Sequence, residues 1–135
     1  MRVVVDTNVF VSAILSPTGL PAQILDLILS RRITLLISSS ILAEYVDVLK
    51  RKEFSFNEKT IHNLLKMIAL YSEKISPAVH KISLPDPDDI PFLACALGGK
   101  ADFLITGNKK HFPAAACDPV KPLSPLEFFE KIKVE

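Results

Sequence analysis

The sequence has little cysteine, little net charge and no long hydrophobic run, and each of these shortages excludes a class of protein. Its two cysteines, Cys95 and Cys117, are too few for a disulfide scaffold and lack the spacing of metal ligands. The formal net charge is +1, so nucleic-acid binding would need a local basic patch. No apolar run reaches membrane-spanning length, and the N-terminus lacks a signal-peptide layout. We therefore expect a soluble, cytoplasmic protein with no membrane partner.

The chain does contain enough length and apolar content for one compact domain. Its 135 residues are 49% hydrophobic, which suits a globular protein with a substantial core. We find no internal repeat, low-complexity segment or domain boundary. Residues 1–135 are therefore predicted to form a single domain.

Short buried strands alternate with amphipathic helices along the chain. Four apolar runs are typical of central parallel strands: residues 2–5, 34–37, 103–106 and, more weakly, 120–123. Helical patterns occupy about residues 21–32, 38–52, 57–75 and 90–97, and a last helix begins at Ser124-Pro125. This alternation predicts an α/β fold with three layers, α/β/α, around a central parallel sheet of four to five strands.

Asp6 stands where the first predicted strand ends. In open α/β sheets ligands bind beyond the carboxyl ends of the strands, so a carboxylate there is a candidate ligand or base. Thr7 and Asn8 add a hydroxyl and an amide that can orient it or cap the next helix. The same three residues are also typical of a plain strand-to-helix turn, and this stretch alone leaves both interpretations open.

Glu44 and Asp89 occupy comparable positions. Glu44 borders the apolar face of its predicted helix and has no basic residue four positions later, although an unpaired boundary glutamate remains the alternative. Asp89 is the predicted N-cap of the helix at 90–97, and capping accounts for one acid there. Asp86 and Asp88 are assigned to the preceding loop, with compensation for an acid that the site lacks as the alternative. Because strand ends and helix starts share one edge of a parallel sheet, Asp6, Glu44 and Asp89 can converge.

Converging carboxylates predict a metal site. They repel one another, and a hard divalent cation bound through oxygen is the usual reason to keep them together. Mg²⁺ or Mn²⁺ in such a site retains coordination positions for phosphate oxygens and water, which favours phosphodiester cleavage. No Cys/His cluster indicates zinc, since His62 and His80 are interpreted as solvated surface histidines, and no Gly-x-x-x-x-Gly-Lys loop indicates nucleotide binding.

Four segments of the chain together resemble a known family. They are Val3–Asn8, Ser38–Glu44 with Tyr45 and Leu49, Asp89–Ala96, and Ala101–Asn108. In this order and spacing they resemble the PIN domain family, and most closely its prokaryotic members that act as toxins of toxin–antitoxin pairs (VapC-like). The resemblance implies a Mg²⁺- or Mn²⁺-dependent endoribonuclease with Asp6, Glu44 and Asp89 as metal ligands. It also implies RNA as substrate, an antitoxin protein as partner and a homodimer.

Asn108 departs from the family pattern, because many PIN domains place a fourth acid just after the Thr-Gly of the fourth strand. We keep Asn108 as a predicted catalytic residue, since an amide oxygen can ligate Mg²⁺ or orient water without adding charge. Polar side chains next to the acids are predicted to contact RNA: Thr7, Asn8, Thr106, Lys109 and Lys110, with His111 beside them. A solvated basic turn is the alternative for residues 109–111.

Two other functions stay open. A PIN-fold module that binds RNA or a protein without cleavage is favoured by Asn108. Phosphoryl transfer through an aspartyl intermediate is disfavoured, because such phosphatases usually carry a second Asp where this chain has Asn8. Asp102 is excluded from the site, because it precedes a strand and so lies at the opposite edge of the predicted sheet.

Overall fold

A five-stranded sheet forms the centre of the protein. The computed structural model describes residues 1–79 and 81–134, so the interpretation of His80 lies outside the described residues. The strands are β1 Arg2–Val5, β2 Thr34–Ile37, β3 Glu73–Lys74, β4 Phe103–Ile105 and β5 Lys121–Leu123. All run parallel, in the spatial order β3-β2-β1-β4-β5. Helices flank this sheet, which confirms the predicted α/β/α architecture.

Seven α-helices occur in the described residues: α1 Thr7–Leu15, α2 Leu20–Leu29, α3 Ser39–Leu49, α4 Glu58–Tyr71, α5 Ile90–Gly98, α6 Ala114–Cys117 and α7 Pro125–Val134. Short 3₁₀ turns precede three of them, at Lys52–Phe54, Pro87–Asp89 and Lys109–His111. The predicted start of α7 is confirmed, since Ser124 and Glu127 exchange two hydrogen bonds as a capping box. None of these helices is by itself long and apolar enough to cross a membrane; α1 and α2 reach that length and composition only as a pair bent by 107°.

The core is built on strands that are apolar on both faces. Val3, Val4 and Val5 of β1 are completely buried, and burial of a side chain of this kind contributes about 1.5–3 kcal/mol. Tyr45 of α3 is also fully buried, and its hydroxyl donates a hydrogen bond to the Val5 carbonyl at 2.5 Å. The rings of Tyr45 and of Phe10 in α1 pack edge to face, with their centroids 4.9 Å apart. These contacts fix α1 and α3 against the last residue of β1.

Several elements differ from their predicted bounds, among them α2, which ends at Leu29 and not at residue 32. Residues 9–15, whose pattern predicts only a short apolar stretch, belong to α1, which begins at Thr7. Helix α3 ends at Leu49, three residues before its predicted end at Lys52. Helix α4 ends at Tyr71, although the sequence predicts a helix to about residue 75. Glu73 and Lys74 instead form β3, which pairs with the carboxyl end of β2. Because both residues of β3 are polar and exposed, no hydrophobic pattern indicates this strand.

The strand order reverses beside β1. β2 and β3 lie on one side of it, and β4 and β5 on the other. Ligands of open α/β sheets bind in the crevice at such a reversal, beyond the carboxyl ends of the strands. Val5 of β1 and Ile105 of β4 are paired in the sheet register, so the residues that follow these two lie at the same carboxyl edge, beside this crevice.

Candidate active site

Asp6 follows β1 at the reversal point and has only 7% of its surface exposed. Its backbone is the N-cap of α1, but its side chain makes no capping hydrogen bond. Instead, Asp6 Oδ2 accepts a hydrogen bond from the hydroxyl of Thr106, at 2.8 Å. Burial raises the pKa of Asp6 above its ordinary value, and hydrogen bonds from Thr106 and Thr7, with nearby His111, oppose that rise.

Hydrogen bonds also hold the loop that follows β4. Thr106 is completely buried, and its hydroxyl accepts from the backbone N–H of Asn108 at 3.0 Å. The backbone N–H of Gly107 donates to the side-chain oxygen of Asn8 at 3.2 Å. The structure thus brings Asp6, Asn8, Thr106 and Asn108 together, although they come from two distant parts of the sequence.

Asp89 reaches the same region from the start of α5. It holds the predicted N-cap position, but its backbone is helical and its side chain makes no capping hydrogen bond. Only 14% of that side chain is exposed. Burial and then the charge of Asp6 raise the pKa of Asp89, Asp86 adds to the rise, and His111 opposes it. Asp6 and Asp89 therefore lie within electrostatic reach of each other.

His111, at the end of the 3₁₀ turn after Asn108, contacts Asp89. Its Nδ1 lies 2.9 Å from Asp89 Oδ2. The oxygen is shielded from solvent, and this imidazole nitrogen lies within hydrogen-bonding distance of it. One ligand atom each from Asp86, Asp89 and His111 lie within 4.8 Å of one another. Asp86 is oriented by the backbone N–H of Asp88, which donates to its Oδ1 at 2.9 Å.

The other predicted site residues do not belong to this cluster. Glu44 is exposed on α3, just before buried Tyr45, and in the described part of the chain it makes no ion pair and joins no group of three metal-ligating side chains. Lys109 pairs with the Glu127 carboxylate of α7 at 3.0 Å, and Lys110 is exposed. The catalytic and RNA-binding roles of these residues stay predictions.

The contact between His111 and Asp89 is not evident from the sequence, where His111 belongs to the basic turn predicted to contact RNA. Asp86, which the sequence assigns to the loop before α5 with compensation for a missing acid as the alternative, lies next to both residues in the structure. The one available signal was position, because the start of α5 and the segment after β4 both belong to the carboxyl edge of the sheet.

Two features lie away from this site. Asp102 is at the opposite edge, as predicted, where its carboxylate accepts a hydrogen bond from the Arg2 backbone N–H at 2.8 Å. A cavity of about 1010 Å³ is lined by the end of α3, the 3₁₀ turn Lys52–Phe54 and the start of α4. None of the predicted site residues is among the described residues that line it.

The donor set at the carboxyl edge fits a divalent cation. Asp6 and Asp89 supply carboxylate oxygens that neither cap a helix nor pair with Lys or Arg among the described residues. The buried hydroxyl of Thr7 also lacks a hydrogen-bond partner there. Oxygen ligands of this kind are those that Mg²⁺ and Mn²⁺ take.

Comparison with known proteins gives three findings. A family model described as "PIN domain" matches residues 2–110. The "Uncharacterized protein MJ1680" of Methanocaldococcus jannaschii is 38% identical over 112 residues, which are 81% of this chain and 72% of that protein. A chain from the crystal structure of VapBC2 from Rickettsia felis, bound to a DNA fragment from their promoter, superposes with a TM-score of 0.60. The aligned region is 92% of this chain and 98% of the Rickettsia felis chain, at 20% sequence identity, so this similarity concerns the fold alone.

Proposed function

The chain belongs to the PIN domain family, and from this premise we propose that it is a metal-dependent endoribonuclease that cleaves phosphodiester bonds of RNA. The observation that carries the proposal is the pair formed by Asp6 and Asp89. Both carboxylates are largely withdrawn from water and within electrostatic reach of each other, and the raised pKa of each reflects a cost to the fold. A bound cation offsets that cost, and a purely structural pair of acids does not.

Asp6 and Asp89, together with Glu44 as the resemblance implies, are the proposed ligands of Mg²⁺ or Mn²⁺. When bound, such an ion lowers the pKa of a water molecule and stabilises negative charge on a phosphate. Thr106 orients the Asp6 carboxylate through its hydroxyl, and the same hydroxyl anchors the loop at Asn108. The Asn108 amide is proposed to orient water, where many relatives use a carboxylate.

We propose that the RNA backbone lies along the polar and basic residues around this edge. Lys110 is exposed and offers its charge directly, whereas Lys109 has to leave Glu127 to do so. Asn8 is exposed at the start of α1, next to Asp6, and is proposed to contact the same phosphate, whereas Thr7, predicted to contact RNA, is buried there. Contacts of this kind position the strand without reading its sequence.

We further propose that the protein is the toxin of a toxin–antitoxin pair, acts in the cytoplasm as a homodimer, and is silenced by a separate antitoxin protein. The support is its family and the similarity of its fold to a chain of VapBC2. Light scattering of the purified chain should give the mass of a dimer. A monomer at micromolar concentration would remove the dimer from the proposal.

Asn108 and the exposed position of Glu44 favour a second candidate, a PIN-fold module that binds RNA or a protein without cutting. An amide in place of an acid lowers the negative charge available to a cation. The two candidates differ in whether binding requires metal and whether a product accumulates.

Cleavage of a mixed-sequence single-stranded RNA, with Mg²⁺ or Mn²⁺ and with EDTA, separates these candidates. We expect metal-dependent products from the wild-type protein and only background from Asp6→Asn. Asp26→Asn, which changes an exposed carboxylate of α2, is the matched control and should cleave at the wild-type rate. Metal-independent RNA binding without product, by protein that is folded by circular dichroism, would favour the binding module.

A further inference from the structure

We propose that Asp86, Asp89 and His111 form a mixed oxygen and nitrogen site that binds a transition-metal ion such as Co²⁺ or Zn²⁺ in preference to Mg²⁺. The inference rests on the proposed function in one respect, because Asp89 belongs both to the acid pair and to this site. The three residues come from two segments: the 3₁₀ turn before α5 and the 3₁₀ turn after β4. The strand reversal brings these segments to the same edge of the sheet.

The spacing of the side chains suits one ion. All three ligand atoms lie within 4.8 Å of one another, and His111 Nδ1 is 2.9 Å from Asp89 Oδ2. Two ligands that each lie about 2.1 Å from an ion, at right angles, are about 3.0 Å apart. The imidazole and this carboxylate oxygen thus have the separation of neighbouring ligands. All three residues are half-buried, so the site is accessible to an ion and partly shielded from water.

The charges around Asp89 favour a cation beside the imidazole. Asp89 Oδ2 is shielded from solvent, and its close partner among the described residues is the His111 imidazole nitrogen. The charges of Asp6 and Asp86 also act on Asp89, and this imidazole is the one ion-pairing partner that the described residues give these three acids. An ion bound between the imidazole and the carboxylates offsets their mutual repulsion. The backbone N–H of Asp88 donates a hydrogen bond to Oδ1 of Asp86 and so orients this carboxylate.

The imidazole decides which ion is preferred. Mg²⁺ takes oxygen ligands and dehydrates reluctantly, whereas an imidazole nitrogen suits zinc and its neighbours, with affinity rising from Mn²⁺ to Co²⁺ and beyond. This chain has Asn108 where many PIN domains carry an acid, and His111 follows on the same turn. Replacement of a charged oxygen ligand by a neutral nitrogen moves the preference from hard to borderline ions.

The test is metal binding by the full-length protein after EDTA treatment and desalting. Co²⁺ is titrated by visible absorption and calorimetry, and Mg²⁺ by calorimetry alone. We expect His111→Gln to weaken Co²⁺ binding by about tenfold or more and to alter the Co²⁺ spectrum, with Mg²⁺ affinity changed by less than about twofold. His62→Gln, which changes an exposed histidine of α4, is the matched control and should bind as the wild type does.

Co²⁺ affinity of His111→Gln within about twofold of the wild type would overturn the inference and leave a simple ion pair between His111 and Asp89. A second readout uses the wild-type protein, so it does not depend on the folding of the variant. Zn²⁺ should shift the ring ¹⁵N resonances of His111 and leave those of His62 in place, and unshifted His111 resonances would equally overturn it.

Cleavage of RNA with Mg²⁺, measured separately, distinguishes failure of this inference from failure of the proposed function. If His111→Gln loses Co²⁺ affinity while the wild type cleaves no RNA, the result supports the mixed site and contradicts the proposed nuclease. If Mg²⁺-dependent cleavage occurs and Co²⁺ affinity is unaltered in His111→Gln, the result supports the nuclease and contradicts the mixed site.

Discussion

Thr106→Val removes one hydroxyl from the centre of the site and keeps the branched shape of the side chain. Thr106 is fully buried, and its hydroxyl donates to Asp6 Oδ2 at 2.8 Å and accepts from the Asn108 backbone at 3.0 Å. Valine can do neither, and its methyl group occupies the place of the oxygen. The substitution therefore tests whether this hydroxyl holds an ionised carboxylate.

The expected loss of stability is the sum of two hydrogen bonds. A hydrogen bond to a charged acceptor contributes about 1.5–3 kcal/mol, and one between neutral groups about 0.5–1.5 kcal/mol. The free energy of unfolding should therefore fall by about 2–4.5 kcal/mol near neutral pH. With a urea m-value of about 2 kcal/mol/M, the midpoint of unfolding should fall by about 1–2 M.

The loss should depend on pH in a defined direction. The hydrogen bond from Thr106 lowers the pKa of Asp6 and thus opposes the rise caused by burial, so its removal raises that pKa further. A carboxyl whose folded pKa exceeds its unfolded value loses stabilisation as pH rises through the folded pKa. The difference between variant and wild type should therefore be larger at about pH 7.5 than at about pH 4, near the ordinary value of 3.8.

Equilibrium unfolding in urea, followed by circular dichroism in EDTA at these two pH values, measures both quantities. Thr34→Val is the matched control, because Thr34 is a half-buried strand residue whose hydroxyl has no hydrogen bond among the described residues. It should stay within about 0.5 kcal/mol of the wild type. A cost for Thr106→Val below about 1 kcal/mol, or one that is equal at both pH values, would refute the assigned role.

Three further predictions concern stability. In EDTA near neutral pH, Asp6→Asn should raise the free energy of urea unfolding by about 0.5–2 kcal/mol, because it removes a buried charge, and the gain should shrink towards pH 4. Tyr45→Phe should lower it by about 1–2 kcal/mol, because the Val5 carbonyl loses a buried donor. Gly98→Ala should lower the melting temperature in calorimetry by several degrees, because the new Cβ would clash with the Ser76 carbonyl oxygen.

Each of these variants has a matched control or a clear contradicting result. Tyr71→Phe changes a tyrosine whose hydroxyl has no hydrogen bond in the described part of the chain, and should be nearly neutral. Gly107→Ala places a Cβ at an ordinary 3.4 Å from Asn8, so a drop equal to that of Gly98→Ala would contradict the steric argument. A less stable Asp6→Asn would show that the carboxylate stabilises the metal-free fold.

Much of the fold follows from short stretches of sequence. The runs of consecutive apolar residues in β1, β2 and β4 are buried on both faces, and this pattern distinguishes a central parallel strand from an exposed one. The starts of α3 and α7 follow from serines that bond to backbone N–H groups three residues later. The exception is β3, whose two polar residues carry no such pattern and pair only because β2 offers an open edge.

The candidate site shows the same difference between positions that local sequence predicts and contacts that it does not. Sequence alone places Asp6, Asp89 and Asn108 at a strand end, a helix start and a strand end, and parallel strands bring such positions to one edge. Which of these side chains meet was decided by tertiary structure: Thr106 bonds to Asp6, His111 contacts Asp89, and Glu44 stays exposed. Burial patterns and helix caps depend on residues a few positions apart and can be read locally. Contacts between side chains depend on strand register and helix rotation, which the packing of the whole core sets.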